Sequence, residues 1–457
     1  MNDSFHHLAY VFERFPSFTQ TFCVREILEL ERQGLSPLIF SIRDTRLEDE
    51  SQKHFPPDLY ERVHFLPQGD DLVEEVKRLK SEERLPPSVV LTLRHWSDKG
   101  DRADKRRVHE AAYIGLKMQE AGVKHVHSHF AGIGARTCWW LKFFYDITYS
   151  FTGHANDLFI KSDFEVTLAK LMSDAALVVT VSDYTVRNLQ GRFPESAGKV
   201  KRVYNGLNLE PFREAGQRRE VDTAWSGERL IFSVGRLIEK KGFDDLIVAC
   251  ALMKKNGVRD FRCVIVGDGP MEDELQKLIQ TNGVEDCVEL AGPKSQDEII
   301  AYLERAVLFA LACVTEKDGG KDNLPTVIME AMGARVPCVS TILAGVPEMV
   351  IDGETGRLVE ERQVEDFAKA MEDVLSDKDR AIEMGIAGED RAVEIFAKEV
   401  TAKQLRRLQV SRGLVRFDAG LAVSDPGLWT CYARQWVKRF FRLFRWQKKD
   451  RIGCGEP

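Results

Sequence analysis

Between residues 230 and 333 the chain repeats one phrase four times: a short apolar run, a glycine-bearing or polar loop, and an amphipathic segment. Leu230–Val234 leads into Gly235-Arg236 and a helix expected over Phe243–Lys255. Cys263–Val266 leads into Gly267-Asp268-Gly269-Pro270 and a helix to about Gln280. Val288–Leu290 leads into Gly292-Pro293-Lys294 and a helix to about Ala306. Leu308–Cys313 leads into a polar loop, Leu324-Pro325 and an apolar helix. Such alternation points to an α/β unit with a parallel sheet, because each apolar run is a strand whose return path is a helix.

The first half alternates in the same way with less clarity. Strands are expected at His7–Phe12, Pro37–Ile42, Lys124–His129, Thr148–Thr152 and Ala176–Val181. Helices are expected at Thr21–Gln33, Gly132–Tyr145 and Tyr184–Gln190, and residues 44–110 are charge-rich without a clear period. Residues 213–227 are polar and poor in large apolar groups, which divides the chain into units at 1–212 and 213–394. Beyond these, Asp366–Leu375 and Arg380–Leu408 read as helical.

A chain of 457 residues with 44% hydrophobic and 30% charged residues has the composition of a soluble globular protein of two or three domains. The net charge of −7 offers no global basic field, so nucleic acid is not an expected partner. No basic segment followed by an apolar one opens the chain, so no secretory signal is expected. No apolar run approaches the ~20 residues that span a bilayer. The nine cysteines lack Cys-x-x-Cys spacing and several lie in apolar runs, which fits reduced core thiols of a cytoplasmic protein.

The chemistry concentrates in Cys313–Ala334. Its helix carries one carboxylate, Glu330, and the preceding loop carries another, Asp322, eight positions earlier. Pro325 suits a helix start, where its missing N–H has no intrahelical partner. A fully helical segment would separate the carboxylates by ~12 Å. Paired glycosidase carboxylates stand ~5–9.5 Å apart, so the two are expected to hold different parts of one extended ligand. The loop Gly235–Gly242 places Arg236, Lys240 and Lys241 between a strand and a helix N-terminus, an arrangement suited to a diphosphate.

This segment resembles the carboxylate–seven residues–Glu motif of the family-4 retaining glycosyltransferases. Within them it is similar to the bacterial exopolysaccharide, colanic-acid-type and O-antigen enzymes. The family usually has Glu where this chain has Asp322, which keeps the charge and shortens the reach. The resemblance covers residues 5–410 and implies a GT-B fold, with two Rossmann-like domains facing each other across a cleft. It also implies a C-terminal crossover helix, here 395–412, followed by a tail at 413–457. A hexose-type sugar would pass from a nucleotide diphosphate, UDP or GDP, to a lipid-linked saccharide with retention of configuration.

By the same resemblance, Gly235, Arg236 and Lys241 would hold the diphosphate, and Gly267 and Asp268 would lie near the nucleotide. The nucleobase would sit by Lys294, the ribose hydroxyls on Glu330, and the sugar on Asp322 beside Asn323 and Leu324. The stretch Ser150–Asp157 resembles the family's Thr-x-His-Ala-x-Asp element, which would put His154 at the reaction centre with Asp157 as a cap or orienter. Glu13–Phe22 looks like the family's turn near the acceptor, with Thr19 and Gln20 in place of Ser-Glu and Thr19 as a helix cap. His129 would approach the acceptor. Asn205-Gly206-Leu207-Asn208 resembles the turn before the family's domain hinge. Other readings of a similar cleft are a sugar-nucleotide epimerase, a phosphorylase, or a nucleotide-sugar-binding subunit without turnover.

His125, His127 and His129 alternate along one strand and share a face. They span too far to hold one ion together and no acidic partner is evident, so zinc is not expected. With no Asp-x-Asp element at a suitable loop, the reaction is expected to need neither metal nor cofactor. Residues 434–449 gather Trp436, Val437, Phe440, Phe441 and Phe444 on one side of a helix ringed by cations. That pattern suits an anionic membrane surface at the cytoplasmic leaflet.

Overall fold

The computed structural model describes residues 8–17, 20–47, 55–97, 103–154, 157–158 and 164–416. Thr19 and the segment 434–449 lie outside the described residues. Among the described residues thirteen strands form two wholly parallel sheets. The first holds β1 (Leu8–Arg14), β2 (Leu38–Arg43), β3 (Val63–Phe65), β4 (His125–His129), β5 (Thr148–Gly153), β6 (Leu177–Thr180) and β7 (Val200–Arg202) in the order 3-2-1-4-5-6-7. The second holds β8 (Arg229–Val234), β9 (Phe261–Val266), β10 (Val288–Leu290), β11 (Ala306–Leu311), β12 (Cys338–Thr341) and β13 (Gly356–Val359) in the order 10-9-8-11-12-13.

The expected two-sheet α/β architecture is therefore present. β11, Ala-Val-Leu-Phe-Ala-Leu, is buried along its whole length, as a central parallel strand covered on both faces must be. Each large side chain so buried stabilises the fold by roughly 1.5–3 kcal/mol. In each sheet the winding reverses once, between β1 and β4 and between β8 and β11. Ligands of open parallel sheets sit beyond the carboxyl ends of the strands at that reversal. The loops leaving β8 and β11 are the two charged loops singled out in the sequence.

Two segments that the sequence left unassigned are filled in, and one expected helix is divided. Residues 44–110 contain β3 and the helices Pro57–Glu61, Asp70–Ser81 and Pro87–Ser97, and then enter Ala103–Glu120. Residues 213–227 are largely helical, within Glu210–Arg218 and Val221–Trp225. The single helix expected over Arg380–Leu408 is two, Lys378–Phe396 and Lys398–Ser411, broken at Ala397. The cause is a strand-like crossing: Leu207 N–H donates to Phe396 O at 2.9 Å, and Lys398 N–H donates to Leu207 O at 3.0 Å. A helix cannot continue through residues whose backbone groups pair with another chain segment. Glu389, on the first of the two helices, binds Arg213 and Arg335 of the second-sheet half. On the second, Gln404 and Arg406 donate to Arg202 O and Gln33 O of the first-sheet half. The chain thus crosses between halves at 205–209 and returns at 397.

The cysteines among the described residues are buried free thiols. Among the described residues no helix is long and apolar enough to cross a membrane.

Candidate active site

On the second sheet the two charged loops are tied to each other through the backbone. Val314 N–H donates to Lys240 O at 3.1 Å. Gly242 adopts φ +64°, and a Cβ there would stand 1.8 Å from Ala312 O. Gly267, at φ +142°, lets the next loop press against Gly235, whose carbonyl lies 1.9 Å from where a Cβ would be. Leu237 N–H then donates to Asp268 O at 2.7 Å. Only glycine fits such approaches at positive φ. Gly235, Gly242, Gly267 and Asp268 thus shape the site with their backbones, and the Asp268 side chain is exposed.

Those loops bring Lys241 onto Asp322 in a half-buried ion pair. Burial opposes charge on both, but each partner's field outweighs it, so the Asp322 carboxyl is held below its ordinary value and the Lys241 ammonium above its own. Lys240 and Arg236 add to the field on Asp322. Arg236 is exposed and makes no ion pair among the described residues. Glu330, on the helix Thr326–Gly333, also feels Lys241; burial nonetheless pushes its carboxyl up to about 7, against the fields of Arg25 and Lys241. Arg25 comes from the first-sheet half and also donates to Gly206 O at the crossing, at 3.1 Å. Two carboxylates, Asp322 and Glu330, and four cations, Lys241, Lys240, Arg236 and Arg25, therefore converge at the β8/β11 reversal.

The expected helix N-terminus at Phe243 is a poor anion site. Its own first turn carries Asp244 and Asp245, both paired with Arg362 at 2.7 and 3.0 Å. The helix Thr326–Gly333 has neither an acidic residue in its first turn nor a side-chain cap, so its N–H groups and dipole are the better complement to an anion. Lys294 does not join the cluster; it lies 3.7 Å from Glu298, one turn along its own surface.

Asn323 and Leu324 are buried. The Asn323 amide reaches into the first-sheet half, accepting from Ser182 Oγ at 2.8 Å and donating to Thr185 Oγ1 at 2.9 Å. Beside it, the Glu348 carboxylate accepts the N–H groups of Asp183 and Tyr184 at 2.7 and 2.8 Å. The first turn of the helix Asp183–Arg192 is thus capped both by its own Ser182 and by Glu348 of the opposite half, a tie between halves that sequence reasoning missed.

On the first sheet, the histidine stripe of β4 faces the helix Thr21–Arg32. Glu26 of that helix lies 3.0 Å from His129 Nε2 and accepts from Tyr10 Oη at 2.9 Å. The absence of an acidic partner read from the sequence is thereby corrected: Glu26 arrives from a helix a hundred residues away. Glu26, His127 and His129 offer ligand atoms within 4.8 Å of one another. Every ring nitrogen of the two histidines is already engaged, those of His127 by Ser150 Oγ at 2.7 Å and Thr152 Oγ1 at 3.0 Å. His125 is buried and pushed down to about 3.

His129 is buried, one layer behind His154, with Nδ1 3.4 Å from His154 Nε2. His154 is half-buried at the end of β5, between the rings of Phe22 and Phe130. Asp157 holds its backbone by accepting the His154 N–H at 2.9 Å, and it also accepts the Ala131 N–H. Gln20 occupies the N-cap of the helix Thr21–Arg32 without a side-chain cap bond.

Residues 217–391 match the family model for glycosyl transferases group 1, and residues 28–211 match that for glycosyltransferase family 4. An amylovoran biosynthesis glycosyltransferase of Erwinia amylovora is 33% identical over 178 residues, 39% of this chain and 44% of that protein. A GDP-mannose-dependent alpha-(1-6)-phosphatidylinositol monomannoside mannosyltransferase of Mycobacterium tuberculosis is 33% identical over 229 residues, 49% of this chain and 59% of that protein. The matched stretch spans about half the length of such curated relatives. Among solved structures, Anabaena Alr3699/HepE in complex with UDP aligns with a TM-score of 0.64 at 16% identity, over 88% of this chain and 99% of that one. The apo lipopolysaccharide outer core galactosyltransferase WaaB aligns with a TM-score of 0.62 at 16% identity, over 89% of this chain and 99% of that one. At such identity the likeness shows the shared GT-B fold alone.

Proposed function

The chain belongs to the glycosyltransferases of group 1 and family 4, and from that premise we propose that it moves a hexose-type sugar, with retention, from a nucleotide diphosphate to a lipid-linked saccharide. The observation that carries this reading is the convergence of Arg236, Lys241, Asp322 and Glu330 at the β8/β11 reversal. Arg236, Lys241 and the N-terminus of the helix Thr326–Gly333 would hold the diphosphate. Negative charge grows there as the bond between anomeric carbon and phosphate oxygen breaks, so these fixed positive groups lower the barrier. Glu330 would accept the ribose hydroxyls. Asp322 would meet the sugar, exchanging part of its ion pair with Lys241 for sugar hydroxyls. His154 would face the sugar from the opposite wall, and the acceptor oxygen would enter from the first-sheet side. Contacts across the halves, Asn323–Ser182 and Glu348–Asp183 among them, would hold the cleft shut against water.

UDP and GDP are the candidate carriers; the bound UDP of Alr3699/HepE and the GDP-mannose of the mycobacterial mannosyltransferase support these two. The amylovoran relative supports a place in exopolysaccharide assembly. The aromatic, basic segment 434–449 would bring the enzyme to an anionic membrane bearing its acceptor. Because Lys241 and Arg236 supply the positive charge, no metal ion is required, and turnover should persist in excess chelator. The reading is tested by incubation with UDP- and GDP-hexoses: consumption of one donor by the wild type and its loss in Glu330→Ala support transfer. Nucleotide binding without turnover would instead support a binding subunit.

A further inference from the structure

We propose that Glu26 and His129 form a buried relay that fixes His154 as its Nδ1–H tautomer, so that His154 offers a hydrogen-bond donor to an oxygen of the ligand in the cleft. The use of that donor rests on the transfer reading; the relay itself does not.

The argument is one of proton counting. His129 Nε2 faces the Glu26 carboxylate at 3.0 Å, so Nε2 carries a proton. His129 Nδ1 and His154 Nε2 face each other at 3.4 Å, and one proton must lie between them. If His129 is an imidazolium, the proton is its own, His154 Nε2 accepts, and a neutral His154 must be protonated at Nδ1. If His129 is neutral, His154 Nε2 donates instead, and Nδ1 turns a lone pair to the cleft. The charge of His129 therefore decides whether the cleft meets a donor or an acceptor.

The groups around His129 settle that charge. Tyr10 comes from β1, Cys23 and Glu26 from the helix Thr21–Arg32, His127 from β4 and His154 from β5. Gln409, on the helix Lys398–Ser411, faces Tyr10 and is uncharged. Glu26 Oε1 accepts from Tyr10 Oη at 2.9 Å and faces His129 Nε2 at 3.0 Å, and among the described residues no lysine or arginine pairs with it, so His129 is its counter-charge. Burial opposes that charge and raises the Cys23 thiol, so Cys23 adds polarity and not charge, while Glu26 raises His129 above its ordinary value. Tyr10 Oη, which donates to Glu26, stays protonated for the same reason of burial. His154 is driven the other way, by burial and then by the adjacent His129 charge, and stays neutral. Its Nδ1 has no hydrogen-bond partner among the described residues. Glu26 and His129 are positioning residues: they act on the ligand only through His154.

The test reads tautomers directly. In the full chain labelled with 15N-histidine, with His154 assigned by its loss in His154→Gln, the wild type should show a protonated Nδ1 and an unprotonated Nε2 on His154 from pH 6 to 8. In Glu26→Gln the amide can still accept from His129 Nε2–H but no longer holds a charge. His129 should then be neutral at pH 7.5 and the His154 tautomer should reverse, returning to the wild-type pattern only as the pH falls. Turnover of the variant should drop ~10–100-fold at pH 7.5, as for loss of one hydrogen bond to a charged group, and recover in acid, with nucleotide affinity unchanged. A wild-type His154 protonated at Nε2 would overturn the proposal even if the variant failed to fold. So would a Glu26→Gln variant with the tautomer unmoved. A wild type with the expected tautomer that bound neither UDP nor GDP would leave the relay standing and remove only the transfer reading.

Discussion

The wall built on β8–β13 carries its charged groups on loops that leave the strand ends, and those loops are shaped by backbone contacts through Gly242 and Gly267. The wall built on β1–β7 presents His154 and stacks its support in layers behind it: His129, then Glu26, then Tyr10. Both walls use the same topological reversal. One supplies fixed charge from short segments of sequence. The other supplies a protonation state from residues scattered over 144 positions, between Tyr10 and His154. Charge for a leaving diphosphate can be local, whereas a neutral imidazole with a chosen tautomer needs a buried counter-charge, which only tertiary packing provides.

That contrast can be broken most forcefully at Gly242. Gly242→Ala puts a Cβ into Ala312 O at positive φ, so urea unfolding should show a loss of ~2–4 kcal/mol. Gly292→Ala, also at positive φ but with open space around it, should cost only ~1 kcal/mol. Equal losses would mean that the close approach of the two loops is not what matters.

Lys241→Met should come next. It leaves Asp322 half-buried without its partner, lowering stability by ~1–3 kcal/mol and nucleotide affinity by ~10–100-fold. Adding Asp322→Asn should restore much of the stability and none of the affinity; a double variant no more stable than Lys241→Met would argue against the ion pair.

Glu330 gives a pH signature. Burial raises its folded value to about 7, so folding takes up a proton between its ordinary 4.5 and 7. The stability from that group is present below 4.5 and declines as pH rises through 7, by an amount on the order of 1–3 kcal/mol. Ribose hydroxyls prefer the carboxylate. Nucleotide binding at pH 6.5 should therefore release a proton, detected as a dependence of binding heat on buffer, and at pH 8.5 it should release none. Glu330→Gln should lose both effects.

The tie between halves should matter less to stability. Glu348→Ala leaves the Asp183 and Tyr184 N–H groups without their acceptor and should cost ~1–2 kcal/mol, with X-ray scattering showing a more open particle. Lys294→Ala, whose ammonium lies 3.7 Å from the exposed Glu298 carboxylate, should change stability by less than ~0.5 kcal/mol.

What could be read in advance follows the same division. β11 and the helix Phe243–Lys255 were legible because a central strand is apolar throughout and its helix keeps a local period. The cluster of Arg236, Lys241, Asp322 and Glu330 was legible as short motifs on two loops and the helix Thr326–Gly333. Residues 44–110 were not, because β3 is three residues long and consecutive helices separate it from β4. Nor was the break at Ala397, which exists only because Leu207 pairs there. Glu26 and Arg25 look like ordinary surface charges of one helix. The parts they play depend on which strand and which opposite wall that helix meets. The Asp244–Asp245 turn was in plain view, and its acidity makes the N-terminus of the helix it opens a poorer complement to an anion.

The most direct test of the account is calorimetric titration of UDP and GDP into the wild type and into Arg236→Ala/Lys241→Ala. Each charge-assisted bond contributes ~1.5–3 kcal/mol, so one nucleotide should bind the wild type and lose ~100- to 10,000-fold in the double variant. Failure of the wild type to bind either nucleotide, or equal binding by both proteins, would contradict a donor site at the β8/β11 reversal.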